Sequence, residues 1–302
     1  MLYDECCVMN GLMQTADEPV IGGVYERELR VARELGRAAG AAALEFYGRP
    51  LVVEHKGDLD EPVTQADRVA NELIVRRLRQ EFPGDGILAE ESIDTVRRLQ
   101  CERVWMVDPV DGTKGFIAGS GDFAVQIGLA DQGASILGVV YQPVADVLHW
   151  AARGHGAWIA RHGFEPERLR VSTETNLSRM RLAASRSHRS QRMDTVVRAL
   201  GITEEVRRNS VGVKIGLIVE QQCDLYIHLS LGTKQWDTCA PEAVLREAGG
   251  TMTDLWGEPL RYNTPDVMNL NGLVATNGAT HREVIERLAP LLTQFGRTRV
   301  DG

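Results

Sequence analysis

An apolar run at residues 103–107 leads into Asp108-Pro109-Val110-Asp111-Gly112-Thr113, and this junction constrains the chain more than any other segment. Pro109 withdraws a backbone donor, so the strand is predicted to stop at Val107 and the chain to turn. Asp111 follows three residues after Asp108, which lets both carboxylates point to one side of that turn. Gly112 permits close backbone approach, and Thr113 adds a hydroxyl. The N–H groups of both residues would open the next segment toward an anion. Two carboxylates this close repel each other unless a cation sits between them. Carboxylates, a backbone carbonyl and water are the ligands that magnesium prefers. Taken alone, the same residues also read as an ordinary turn, where Asp, Pro and Gly are common.

Three more acidic features fall at element ends. Asp67 lies in Pro62-Val-Thr-Gln-Ala-Asp67, Glu90-Glu91 follows the apolar residues 87–89, and Asp237 follows Trp236 at the mouth of a helix. Each has a plain alternative. Asp67 suits the first turn of any helix, Glu90 and Glu91 suit a solvated loop, and Asp237 suits free helix N–H groups. The set of four, with a Gly-Thr turn among them, is what points to a metal site.

The pattern around these points divides in two. Apolar residues at helical spacing predict helices over 26–46 and 65–82, with Pro83-Gly84 ending the second. Short strands follow at 87–89 and 103–107. Segments 123–130, 136–141, 147–150 and 156–160 read as an antiparallel meander with glycine turns. The polar stretch 161–179 marks a boundary. Beyond it, strands at 181–184, 225–229 and 272–275 alternate with helices at 191–200, 212–222, 238–248 and from about 280. The expected organisation is a variable leader (1–23), an α+β domain (24–165) with most metal ligands, and an α/β domain (166–302) with Asp237 and substrate contacts.

Composition narrows the partners. The 302 residues hold 34 Lys and Arg against 42 Asp and Glu, a net charge of −8. Such a chain is a poor nucleic-acid binder. No run approaches the ~20 apolar residues of a membrane span, and Asp4 and Glu5 sit where a secretory signal carries positive charge. The five cysteines lack CxxC spacing and read as reduced thiols in a cytoplasmic protein. An anionic phosphate ester bound by an acidic protein needs local positive charge, which bound cations supply.

Together these segments resemble the lithium-sensitive, magnesium-dependent phosphatases of the inositol monophosphatase superfamily. Asp108–Thr113 matches the D-P-hydrophobic-D-G-[TS] hallmark; Trp236-Asp237 with the following helix to Gly249-Gly250 matches the second. Glu90-Glu91 and Asp67 complete the order, and the resemblance covers roughly residues 25–280. It implies a layered α-β-α-β-α sandwich. Lys114-Gly115-Phe116 after Thr113, Ser185-Arg-Ser-His188, Gly212-Val-Lys214 and 232–242 are similar to the 3'(2'),5'-bisphosphate nucleotidases within it. The implied metal ligands are Glu90, Asp108, Asp111, Asp237 and the carbonyl of Val110, holding two to three Mg²⁺. The family pattern selects Glu90 over Glu91. Thr113 with Asp67 or Glu90 would orient and deprotonate the attacking water, with no covalent enzyme intermediate. Gly112, Thr113, Ser185, His188, Gly212, Lys214 and Asp237 are the implied substrate contacts. The implied substrate is adenosine 3',5'-bisphosphate or its sulfated form, with inositol phosphates, fructose 1,6-bisphosphate and idle nucleotide binding as alternatives. A homodimer is open to such a chain.

Two look-alikes are set aside. A calcium-binding EF-hand loop needs an acid or amide at its third position and a glutamate at its twelfth. Counted from Asp108, these are Val110 and Gly119. The haloacid dehalogenase phosphatases space two aspartates by two near a strand end, whereas here the spacing is three.

Overall fold

The computed structural model describes residues 23–56, 61–186 and 190–300. Apolar residues every three or four positions fold as α1 (Glu26–Leu44) and α2 (Gln65–Glu81), which pack on each other. Between them run the antiparallel strands β1 (Glu54–Lys56) and β2 (Glu61–Val63). Thr64 caps α2 in a capping box whose third-position partner is Asp67.

A seven-stranded sheet follows in the order β3 (Gly86–Ala89), β4 (Arg103–Asp111), β5 (Ala124–Asp131), β6 (Ala134–Gln142), β7 (Val147–Ala152), β8 (Gly156–Arg161) and β9 (Glu167–Leu169). Only the β3–β4 pair is parallel. The short helix α3 (Thr113–Ile117) joins β4 to β5. The second sheet has five strands, in the order β11-β10-β12-β14-β13. They are β10 (Arg181–Ser185), β11 (Glu204–Arg208), β12 (Leu225–His228), β13 (Thr251–Thr253) and β14 (Leu273–Thr276). Its helices are α4 (Gln191–Leu200), α5 (Val211–Val219), α6 (Gln235–Glu247) and α7 (His281–Gln294).

Strand alternation then dictates the layers. Trp105 and Val107 point to α1 and α2, while Val104 and Met106 point the other way to Trp236 and Cys239 of α6. In the second sheet Ala183, Tyr226 and Ala275 pack against α5 and α6, whereas Leu182, Leu225 and Val274 pack against α4 and α7. The result is the expected α-β-α-β-α sandwich. Its middle layer sits unusually close to the first sheet. A Cβ on Gly138 would lie 2.1 Å from the carbonyl oxygen of Ala240, so no larger residue fits there while α6 keeps its place.

The structure corrects several local expectations. β4 does not stop at Val107. It continues through Pro109 to Asp111 with a register shift against β5, because Gln126 pairs with Asp108 and Ala124 with Asp111. A bulge absorbs the proline's missing donor, and the chain turns only at Gly112, whose φ is 95°. Helix α6 begins at Gln235 rather than 238, so Asp237 lies inside its first turn. The polar stretch 161–179 contributes β9 to the first sheet, and polar Glu204–Arg208 forms edge strand β11. Both lack the apolar alternation that marks a strand in sequence. Cys223 and Cys239 are buried and Cys101 half-buried, all unpaired. Among the described residues no helix is long and apolar enough to cross a membrane.

Candidate active site

The end of β4, the turn into α3, the N-termini of α5 and α6 and the end of β12 converge on one cleft of about 180 Å³. Carboxylate oxygens of Asp108, Asp111 and Asp237 lie within 4.8 Å of one another. Two of these residues come from one strand and the third from a helix 126 positions after Asp111 in the chain (237 − 111). Glu90 follows β3, where its N–H still bonds Val107 O at 3.0 Å, and it lines the cleft beside Asp108. Glu91 does not line it: the chain turns after Ala89, closed by the Ser92 N–H on Ala89 O at 3.1 Å, and only Glu90 faces the cleft.

Each aspartate is held so that part of its carboxylate stays available. Asp111 Oδ2 accepts three hydrogen bonds: from Ser210 Oγ at 2.5 Å, Gln126 Nε2 at 2.5 Å and Gly212 N at 2.8 Å. Asp237 Oδ2 accepts the N–H of Lys234 at 2.7 Å, and Asp108 Oδ1 accepts that of Val110 at 3.0 Å. Asp67, 1% exposed, accepts the N–H and hydroxyl of Thr64 on Oδ2 at 2.8 and 2.6 Å. Its Oδ1 faces the Thr113 hydroxyl at 3.4 Å, and that hydroxyl also reaches Val110 O at 3.1 Å. Gly112 is required by packing as well as by φ, since a Cβ there would lie 2.6 Å from Asp122 O.

The electrostatics ask for a cation. Burial first, and then the carboxylates of Glu90, Asp111 and Asp237, push the Asp108 carboxyl well above the ordinary 3.8. Burial followed by Asp111 and Glu90 does the same to Asp237. Burial raises Asp111 to about 6, although the bonds from Ser210 and Gly212 and the charge of Lys214 work against it. Burial also raises Asp67 above the ordinary carboxylate range. Charged carboxylates in such a site are stable only beside positive charge. The donors are all oxygen, which suits a hard divalent cation such as Mg²⁺ and not a thiolate-bound metal. The residues therefore fit the metal that the sequence pattern implied.

The other expected residues are placed as follows. Ser185, Gly112, Thr113 and Lys214 line the cleft with Asp237. Gly212 does not line it, and its N–H is spent on Asp111, so it acts as a support for that carboxylate. His188 lies outside the described residues. Lys214 is 2% exposed, with its ammonium 4.4 Å from the Tyr226 ring centre and 3.3 Å from Asn209 O. Burial draws its pKa down to about 8, while Asp111 and Asp237 hold it up. Sequence reasoning missed Gln126, Ser210, Tyr226, His228 and Lys234. Only Lys234 and Ser210 carried a signal, since Lys234 lies inside the segment 232–242 already singled out and Ser210 lies just before Gly212-Val-Lys214.

A layered sandwich that brings buried acids to a Gly-Thr turn at the mouth of two helices defines a metal-dependent phosphomonoesterase. The chain belongs to the inositol monophosphatase family, whose model matches residues 24–294. It is 38% identical over 244 residues to the 3'(2'),5'-bisphosphate nucleotidase CysQ of Escherichia coli K12, covering 79% of this chain and 94% of that one. It is 34% identical over 255 residues to the histidinol-phosphatase of Mycobacterium tuberculosis, covering 83% and 94%. Among solved structures, CysQ of Bacteroides thetaiotaomicron superposes with a TM-score of 0.71 at 30% identity, covering 83% of this chain and 97% of that one.

Proposed function

We propose that this protein is a Mg²⁺-dependent 3'(2'),5'-bisphosphate nucleotidase that removes the 3'-phosphate of adenosine 3',5'-bisphosphate or of its sulfated form. The observation that carries the reading is the pairing of the carboxylate cluster with the buried Lys214 in one cleft. The similarity to CysQ supports the choice of substrate.

Glu90, Asp108, Asp111, Asp237 and the Val110 carbonyl hold the cations. Bound Mg²⁺ supplies charge neutralisation at the phosphoryl oxygens and makes water and the leaving oxygen more reactive. The chain supplies position, which is most of what phosphoryl transfer needs from a protein. Asp67 accepts from the Thr113 hydroxyl, so Thr113 can accept a hydrogen bond from, and orient, a water in the cleft; as the water's proton moves to Thr113 Oγ1, the hydroxyl's own proton moves to Asp67 Oδ1. The Gly112–Thr113 turn presents its N–H groups to the phosphoryl oxygens, while Ser185 and Lys214 take the nucleotide. The capping box fixes Asp67, and three donors fix Asp111, so the acids do not reorganise during the reaction. The reading also carries two to three Mg²⁺, lithium inhibition, a cytoplasmic location, a small phosphorylated partner rather than nucleic acid or membrane, and a homodimer to be tested by sedimentation.

Phosphate release from adenosine 3',5'-bisphosphate, inositol 1-phosphate, fructose 1,6-bisphosphate and histidinol phosphate, with and without Mg²⁺, tests the reading. The nucleotide is expected to give the highest kcat/KM, and only with Mg²⁺. A higher value for any other ester overturns the substrate; unchanged rates with a chelator overturn the mechanism.

A further inference from the structure

The esters open to this fold differ most in what leaves with the oxygen. An inositol is neutral, histidinol carries an ammonium group, and a nucleoside bisphosphate keeps a second phosphate. The charge of the wall facing the leaving group therefore separates them. Three lysines line the cleft: Lys114 from α3 beside the acids and, on the side built by the second half of the chain, Lys214 from α5 and Lys234 from the N-cap of α6. The ammonium groups of the latter two rest on aromatic faces. Lys214 sits over Tyr226 at 4.4 Å and Lys234 over Trp236 at 5.3 Å. A ring beneath a lysine stabilises its charge and limits where the flexible stem can swing.

Lys234 is the better placed of the two to select. Lys214 is buried within the field of Asp111, Asp237 and Asp122, whereas Lys234, whose charge also bears on Asp237, is only half-buried. Lys234 stands at the cleft wall on a segment clamped from behind. Its backbone forms a bridge to Met268, and its carbonyl accepts from Asn269 Nδ2 at 3.0 Å. Gln235 next to it bonds Thr264 Oγ1 at 2.6 Å and Asp266 O at 2.8 Å. A lysine on so fixed a backbone presents its charge at a defined place, which is what discrimination between two anions requires.

We propose that Lys234 is a specificity-determining residue that binds the second phosphate of the substrate. It thereby admits bisphosphates, leaves neutral monophosphates unaided and repels esters of cationic alcohols. The proposal rests on the nucleotidase reading above and adds to it the residue that enforces the choice.

The test compares adenosine 3',5'-bisphosphate with 3'-AMP, which has the same scissile bond without the second phosphate, on the Mg²⁺-loaded wild type and on Lys234→Met and Lys234→Arg. Lys234→Met keeps the backbone N–H that Asp237 accepts. It is expected to lose about tenfold in kcat/KM on the bisphosphate, chiefly through KM, and less than about twofold on 3'-AMP. Lys234→Arg should restore most of the loss. Calorimetric binding of AMP, the product that retains the second phosphate, should weaken by the same factor in Lys234→Met. A wild type that prefers the bisphosphate, with an unchanged preference or an equal loss on both substrates in Lys234→Met, overturns the role of Lys234 and leaves the nucleotidase reading standing. A wild type that hydrolyses neither adenine nucleotide, yet is active on another ester, overturns both.

Discussion

The two sides of the cleft are built on different principles. The acidic side belongs mainly to β4 and the turn behind it, and it is over-determined. Asp111 has three donors on one oxygen, Asp67 sits in a capping box, and Gly112 allows a contact that no side chain would permit. The basic side belongs to α5, β12 and the start of α6. There, two lysines rest on aromatic rings, Lys214 buried with its ammonium on Asn209 O and Lys234 on a backbone held by Asn269. On the proposed reading, fixed acids serve chemistry common to every phosphate ester, while the lysines across the cleft serve the choice among them.

The sharpest way to break this division is Asp108→Asn. Activity should fall by about a thousandfold or more, as loss of a cation ligand costs several kcal/mol of barrier. Without metal, the variant should melt no lower than wild type, because it removes the charge of Asp108 from among the repelling carboxylates of Glu90, Asp111 and Asp237. Wild-type turnover would place the chemistry elsewhere. Next in size, Ser210→Ala removes one donor to Asp111 without touching substrate. A supporting shell of this kind is worth about 10–100-fold in metal affinity or activity. Mg²⁺ titration of the rate should show the loss largely as a raised Mg²⁺ requirement. A loss on nucleotides alone would move Ser210 to the basic side.

Gly138→Ala probes what joins the two sides, since its methyl would collide with the Ala240 carbonyl and displace α6. Overpacking of this kind costs about 1–3 kcal/mol. Thermal melts should show that cost, and Asp237 should lose its alignment with β4, so activity falls more than stability alone explains.

Two titrations of opposite sign complete the comparison. Asp111 is raised to about 6 by burial, so in metal-free protein its contribution is present below the ordinary 3.8 and is lost as pH rises through about 6. Melting temperature measured with chelator should therefore fall across that range, and Mg²⁺ should cancel the fall. His281, far from the cleft, bonds Thr253 and Thr276, and burial lowers it from 6.5 to about 4. Its contribution is present above 6.5 and is lost as pH falls toward 4. Discounted for partial exposure, this amounts to about 1–2 kcal/mol. His281→Gln should flatten the acid limb of the stability profile with or without Mg²⁺, and an unchanged limb would show that another group governs it.

The helices at 26–44 and 65–81 were legible because one face of each is apolar, and the meander because its strands alternate between glycine turns. The strand through Pro109 was misread because a bulge against β5 absorbs the missing donor, and that depends on a partner strand the local sequence does not reveal. Strands β9 and β11 went unread because their residues are polar and their pairing alone makes them strands.

By itself, the sequence determined which residues are able to ligate metal, since carboxylates at element ends and a Gly-Thr turn are local facts. Only the tertiary structure decided that Asp237 meets Asp108 and Asp111, that Gln126 and Ser210 hold Asp111, and that Gly212 supports an acid instead of facing the cleft. The physical reason is range. Propensity and patterning act over a few residues, whereas these contacts arise where two sheets and the helices between them close on each other.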